Sequence, residues 1–240
     1  MSKAVAKKGE TNEIVAFDPS LFEQDAGLGM GDLSQDDMAI PFLKVLSRQD
    51  PTLDDLDDAK AGDILNTVSN QVYAGKGGIR VIPCAYQRRY IEWAPRGSGN
   101  GAPLNIYTPE DQRPRTERAD DNKDYVVTGN GSYIEETHQH YVLILNEDGT
   151  TTTAVIAMKS TQMKKSRKWN STIAQRTLMG KNGPFTPPRF SHVYLLRTVS
   201  EENSKGSWHG WDITLEGVVE DPSQYTQAKA FSESIQKGDV

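Results

Sequence analysis

The sequence predicts a mostly β protein with one main helix, and three observations carry that prediction. From Ile79 to Val219, runs of β-branched and aromatic residues alternate with turns marked by Gly and Pro. One stretch, Lys159 to Met179, drops the alternation and contains neither Gly nor Pro. With 240 residues, 36% of them hydrophobic, the chain suits one sizeable domain with tails.

The elements follow in order. Residues 1–37 read as a flexible N-terminal arm: lysines come first, then Gly27, Gly29 and Gly31 among acids, with Phe17, Leu21 and Phe22 isolated. The domain is expected over residues 38–220. Met38 to Ser47 is the first compact apolar stretch, a strand or a short helix, and Pro41 disfavours helix in its first half. The run Asp50, Asp54, Asp55, Asp57, Asp58 lacks the Gly and terminal Glu of a calcium loop, so it reads as a solvated loop. Lys60 to Thr67 looks like a turn leading to a short strand. Gly75, Gly77 and Gly78 lack the spacing of a phosphate loop and read as a hairpin turn.

Ile79 to Trp93 reads as one long bent strand, or two joined at Pro83. Ala94 to Gln139 reads as mostly loop, and a loop of that length is functional or disordered. His140–Leu145 and Thr150–Met158 flank Asp148-Gly149, the clearest hairpin signal in the chain. The helix follows, with Ser160 or Thr161 as its cap and Gly180 as its stop. Phe190–Val199 and Gly210–Val219 read as two more strands, joined by the polar turn Glu201 to Gly206. Residues 221–240 form a C-terminal tail or a short helix over Gln224–Ile235.

The charge is unevenly placed. The chain carries −6, yet Gly149 to Ser200 holds no acid and nine Lys and Arg residues, which leaves −15 for the rest. Local field, not net charge, steers an anionic partner. The lone Cys84 excludes an intrachain disulfide, fits a reducing compartment and reads as a small core residue. No apolar run reaches the ~20 residues of a membrane helix. Met1 to Glu10 has lysines with no apolar segment behind them, so a cytoplasmic protein without a secretory signal is expected.

From Ile79 the order is three strands, a helix, then two strands, which is that of an OB-fold, a five-stranded, partly open barrel. That order, the basic helix after the third strand and the tryptophans resemble the single-stranded DNA-binding proteins of tailed bacteriophages. The segment IPFLKVLS…AGDILNT…GIRVIPCAYQRRYIEW is similar to the opening of phage proteins that travel with replication genes. The resemblance covers Ile40 to Val219. It implies non-sequence-specific binding of single-stranded DNA, with RNA also allowed, in replication or recombination. Replication proteins and further copies of the chain are the implied partners. The weakly acidic end, Phe231 to Val240, departs from the strongly acidic tail of many such proteins.

A single-strand binder needs cations along the backbone track and flat rings on which bases stack. The cations expected to serve are Lys159, Lys164, Lys165, Arg167, Lys168 and Arg176. On the helix, Met163, Ile173 and Thr177 are expected to face the core, and Trp169 is open to either a core or a stacking role. On the long strand, Tyr86, Arg88, Tyr90 and Glu92 share one face by the period of two. Of Trp208 and Trp211, one is expected in the core and one, Trp208, within reach of a base.

Catalytic signals are weaker. His138 and His140, two apart beside Glu135 and Glu136, form at most half a metal site. No nucleophile elbow, P-loop or dinucleotide fingerprint is present. No catalytic residue, metal or cofactor is therefore assigned. The rival readings are a structural or host-interaction protein and a metal-dependent nuclease.

Overall fold

The structure, a computed structural model, describes residues 20–31, 39–95, 97–98, 101–204 and 206–238. The chain divides into two units, Met1–Met38 and Ala39–Val240. The first holds a short helix, α1 (Ser20–Gln24); the expectation for residues 1–19 and 32–37 lies outside the described residues.

The second unit opens with β1 (Leu43–Val45), a helical turn α2 (Thr52–Asp55), β2 (Ile64–Asn66) and β3 (Val72–Tyr73), and the three strands form a small antiparallel sheet. The acidic run is not wholly solvated. Asp50 is buried, accepts hydrogen bonds from the Thr52 amide and hydroxyl, and pairs with Lys44 at 2.6 Å.

The glycines at 75–78 make a turn into β4 (Ile79–Trp93), but not the expected hairpin, because β3 and β4 lie in different sheets. Gly78 has φ +80°, and a Cβ there would lie 2.5 Å from the Leu196 carbonyl oxygen, so no larger residue fits. Then come β5 (Asn105–Tyr107), β6 (Thr116–Arg118), β7 (Asp124–Val126), β8 (Tyr133–Leu145) and β9 (Thr151–Lys159). A 3₁₀ turn leads into α3 (Met163–Ala174), and a small hairpin, β10 (Leu178–Gly180) and β11 (Gly183–Phe185), follows it. The chain closes with β12 (His192–Asn203), β13 (Gly206–Val218) and α4 (Pro222–Lys237).

The main sheet is antiparallel throughout and has eight strands, not five. β4 and β8 form a long central ribbon, paired from Arg80–Leu145 to Trp93–Tyr133. At one end β12 and β13 extend it beyond β4, and β9 extends it beyond β8. At the other end β5 joins β4, and β7 and β6 follow β8. β9 and β13 do not pair, so the sheet curls into a half-barrel, and α3 packs against both.

The three extra strands lie in the stretch expected to be loop. They are three residues each, too short to give an alternation to read. Glu92 ties β5 and the entry to β8 onto β4. This buried carboxylate accepts hydrogen bonds from Asn105 Nδ2 (2.8 Å), Tyr107 OH (2.9 Å) and Ser132 Oγ (2.8 Å). These three donors hold the acid below its usual range although burial works the other way.

The helix is also shorter than expected. It ends at Ala174, and no side chain of Ser160 or Thr161 caps it. Thr177 falls beyond its end, in the approach to the hairpin, while Met163 and Ile173 stay on it, half-buried. The C-terminal helix is longer than expected. Asp221 caps it through the Ser223 amide, with Pro222 at its first position.

Two cores lie on opposite faces of the ribbon. On one, Ile79, Val81, Val142, Ile144 and Ile156 pack with Trp169, Tyr194 and Trp211 under α3. On the other, Ile82, Cys84, Tyr141 and Leu143 pack with Ala228, Phe231 and Ile235 of α4. No helix among the described residues is long and apolar enough to cross a membrane.

Candidate functional site

The site begins with a bulge. Between Pro83 and Ala85 the β4–β8 register slips, and Cys84 is the extra residue. Pro83 is tolerated because β12 stops pairing with β4 at Val81, so no ladder bond is lost on that edge. Cys84 points into the α4 core, where burial pushes its thiol up to about 12. The bulge has a larger consequence. Before it, Ile79 and Val81 face α3; after it, the even-numbered Tyr86, Arg88 and Tyr90 do. A regular strand would have turned these three toward α4.

Opposite them on β8 stand His140, His138 and Glu136, paired respectively with Tyr86, Arg88 and Tyr90. α3 lowers Ser166 between the two histidines. Ser166 Oγ lies 2.7 Å from His138 Nδ1 and 2.7 Å from His140 Nε2, and all three residues are buried. Beyond them, Arg189 Nη2 lies 2.9 Å from His140 Nδ1, Arg189 Nη1 donates to Asn170 Oδ1 at 2.9 Å, and His138 Nε2 lies 3.0 Å from Glu136 Oε1.

The proton positions follow from Arg189. A guanidinium only donates, so His140 Nδ1 must accept. The His140 proton is then on Nε2 and goes to Ser166 Oγ. Ser166 has no other acceptor among the described residues, so its hydroxyl donates to His138 Nδ1. His138 in turn donates from Nε2 to Glu136. Every donor in the chain points from Arg189 toward Glu136, an arrangement in which each bond polarises the next. His140 is held neutral: burial, then Arg189, then His138 drive it well below the ordinary imidazole value. Burial also brings Arg189 down to about 10.

This chain occupies the histidines as partners of Ser166, Arg189 and Glu136. Among the described residues no three His, Cys, Asp or Glu side chains gather as a metal site. The relay's mechanical role is to fix α3 in one register on the sheet.

Rings surround it. The Trp169 indole stacks on His140 at 4.7 Å and is 2% exposed, so it belongs to the core and is closed to an incoming base. Trp211 is also buried, while Trp208 is half-exposed and donates to Glu201 at 2.9 Å. Tyr86 lies half-buried beside both histidines, at 5.6 and 5.1 Å between centroids. Burial pushes its phenol up, Glu136 adds to this, and Arg88, Arg189 and Arg167 oppose it. Tyr86 is thus the meeting point of strand and helix cations. Tyr90, further along, has the Arg113 guanidinium 3.5 Å from its ring centroid and Arg88 at 5.7 Å. The hollow beside Tyr90 is mixed in sign, because Asp111, Asp124 and Glu136 line it with Arg113 and Arg115.

The acid-free window is not acid-free in space. Lys159 pairs with Glu135 at 2.8 Å and Lys165 with Glu201 at 2.6 Å. Arg176 is half-buried just past the end of α3, and His192 is lowered by burial and then by Arg176. Lys164, Arg167 and Lys168 remain exposed on α3 with no ion pair among the described residues. Sequence reasoning grouped Glu136 with His138 and His140, but as half a metal site, and it missed the roles of Ser166, Asn170, Arg189 and Arg113. One signal was there: Ser166, Trp169, Asn170 and Ile173 fall at the spacing of a single helical stripe.

Comparison with curated proteins and with solved structures found no match. A family model described as Pam3 phage gp34-like protein matches residues 9–240, almost the whole sequence, and the chain therefore belongs to this family of phage proteins.

Proposed function

We propose that this phage protein binds single-stranded DNA without sequence preference, during replication or recombination in the host cytoplasm. Its contact face is the one shared by Tyr86, Arg88 and α3. The observation that carries the reading is the setting of Tyr86: a half-exposed ring with the Arg189 guanidinium 5.7 Å from its centroid, Arg88 two residues along the same strand face, and the exposed cations of α3 on that side of the sheet. A base stacks on such a ring and its phosphates meet the flanking guanidiniums. The relay supports this by fixing the helix that carries Arg167, so the cations are in place before the strand arrives.

The chain order supports it too. β4, β8, β9, α3, β12 and β13 follow the element order of an OB-like barrel: β4 pairs with β8, β8 with β9, β12 returns to β4 and β13 pairs with β12, with β9 and β13 left unpaired. The mixed-sign hollow at Tyr90 marks where the track ends, because Asp111 and Asp124 repel a phosphate there.

The test is fluorescence anisotropy of labelled oligo-dT titrated with the protein at several salt concentrations. Binding is expected at low salt, with log affinity falling linearly as log salt rises. No binding at low salt, or an affinity indifferent to salt, overturns the proposal and returns the protein to a structural or host-interaction role. A matched oligo-rU series reports whether RNA is also taken.

A further inference from the structure

α3 has a second flank. Lys164, Lys168 and Thr172, four residues apart, line one flank, and Arg167 falls off that stripe. Between this flank and β13 lies a cavity of about 440 Å³, within the range of small-ligand sites, roughly 300–1,000 Å³. It is walled by α3 on one side and by β12 and β13 on the other. Half-buried Ile213 and Leu215 give it its apolar wall, and Trp169 and Tyr194 border it with only 2% of their surface exposed. Lys164, Lys165 and Lys168 stand around it against a single acid, Asp212; Lys165 is already held by Glu201, so Lys164 and Lys168 set its sign.

The site therefore suits a ligand with a flat body and an anionic group beside it, the body against Ile213 and Leu215 and the anion at Lys164 and Lys168.

Resting on the nucleic-acid reading above, we infer that this cavity takes one nucleotide of the bound strand, its base against the apolar wall and its phosphate between Lys164 and Lys168. The strand then crosses α3, with one base on Tyr86 and another in the cavity. The same helix contributes to both contacts.

The test uses thymidine 5′-monophosphate, thymidine and inorganic phosphate as probes, read by the Trp169 indole N–H signal in NMR, assigned with Trp169→Phe. The monophosphate is expected to shift that signal more than either part alone. In the full-length protein, Thr172→Trp, which fills the cavity from its half-exposed rim, is expected to weaken oligo-dT binding roughly tenfold, the scale of one lost base contact. Its salt slope should stay unchanged. Lys168→Ala serves as a second variant that does not touch the walls, and it is expected to lower the monophosphate's effect. An equal shift from phosphate alone shows an anion site without a base and overturns the inference. So does an unchanged oligo-dT affinity in Thr172→Trp when the wild-type protein binds, and in that case the proposed function stands. If the wild-type protein binds no oligo-dT, both fall together.

Discussion

The two sides of α3 work in opposite physical regimes. Its buried side presents Ser166, Trp169 and Asn170 to the sheet, where hydrogen bonds are strong and an unmatched polar group is costly. Its outer side presents Lys164, Arg167 and Lys168 to water, where a charge is screened and contributes little to folding. The difference teaches a division of labour within twelve residues. One side makes the helix immovable, and the other is free to be spent on a partner. Four perturbations separate the two, and in stability their expected effects run from large to nearly nothing.

The largest belongs to Trp169. Its ring is 2% exposed and touches His140 and Tyr194. Trp169→Ala should cost about 3–5 kcal/mol, the usual loss for a large buried aromatic. Urea unfolding followed by circular dichroism measures it. A loss below about 1 kcal/mol would mean that the buried side is not what anchors the helix.

Ser166→Ala comes next. It removes one hydroxyl but strands two groups, His138 Nδ1 and the His140 Nε2 proton. Each orphaned polar group costs about 1–3 kcal/mol. The same urea experiment should therefore show a larger loss than a serine usually gives. A neutral result would show that the proton order deduced from Arg189 is wrong.

The third is a pH effect. His140 is driven far below the ordinary imidazole value, first by burial and then by Arg189, and His192 is lowered by burial and Arg176. The unfolded chain takes protons on both near pH 6.5 and the folded chain resists them. Stability is then full above that pH and falls as pH drops below it, by up to about 1.4 kcal/mol per pH unit for each group. Melting at pH 7.5 and 5.5 tests the sign, in a window above the range of the lowered carboxylates Asp50, Glu92 and Glu201. A protein more stable at pH 5.5 would contradict a neutral His140.

The same contrast explains what could be read from the sequence. The outer side of α3 was legible because charge needs no partner to be seen: Lys164, Arg167 and Lys168 stand out in any count. The order of the long strands and the helix was legible from alternation and its loss. The buried side was not. Ser166 and Asn170 look like surface residues until His138, His140 and Arg189 are brought to them from 19 to 28 residues away. The bulge at Cys84 was equally silent, since one extra residue leaves the alternation on each side intact and only changes which face it addresses. The short strands within Ala94–Gln139 were hidden because three residues show no alternation and their partners, Glu92 for β5 and β8 for β7, are distant in sequence.

The smallest effect on folding is expected where the sequence signal was loudest. Lys164, Arg167 and Lys168 are exposed and make no ion pair among the described residues, so changing each to Ala should move stability by no more than about 0.5 kcal/mol. Lys165→Ala is the internal control, because it breaks the 2.6 Å pair with Glu201 and leaves that acid beside Trp208. Binding should reverse the ranking. Each of the three free cations that meets a phosphate lowers the salt slope for single strands by about 0.7 when removed. Arg167→Ala should weaken oligo-dT most, because it alone of the three acts on Tyr86. If instead all three weaken binding equally, the strand is held by diffuse attraction to the helix and Tyr86 is not its anchor. If none does, the two sides of α3 differ only in burial, and the outer charges serve solubility.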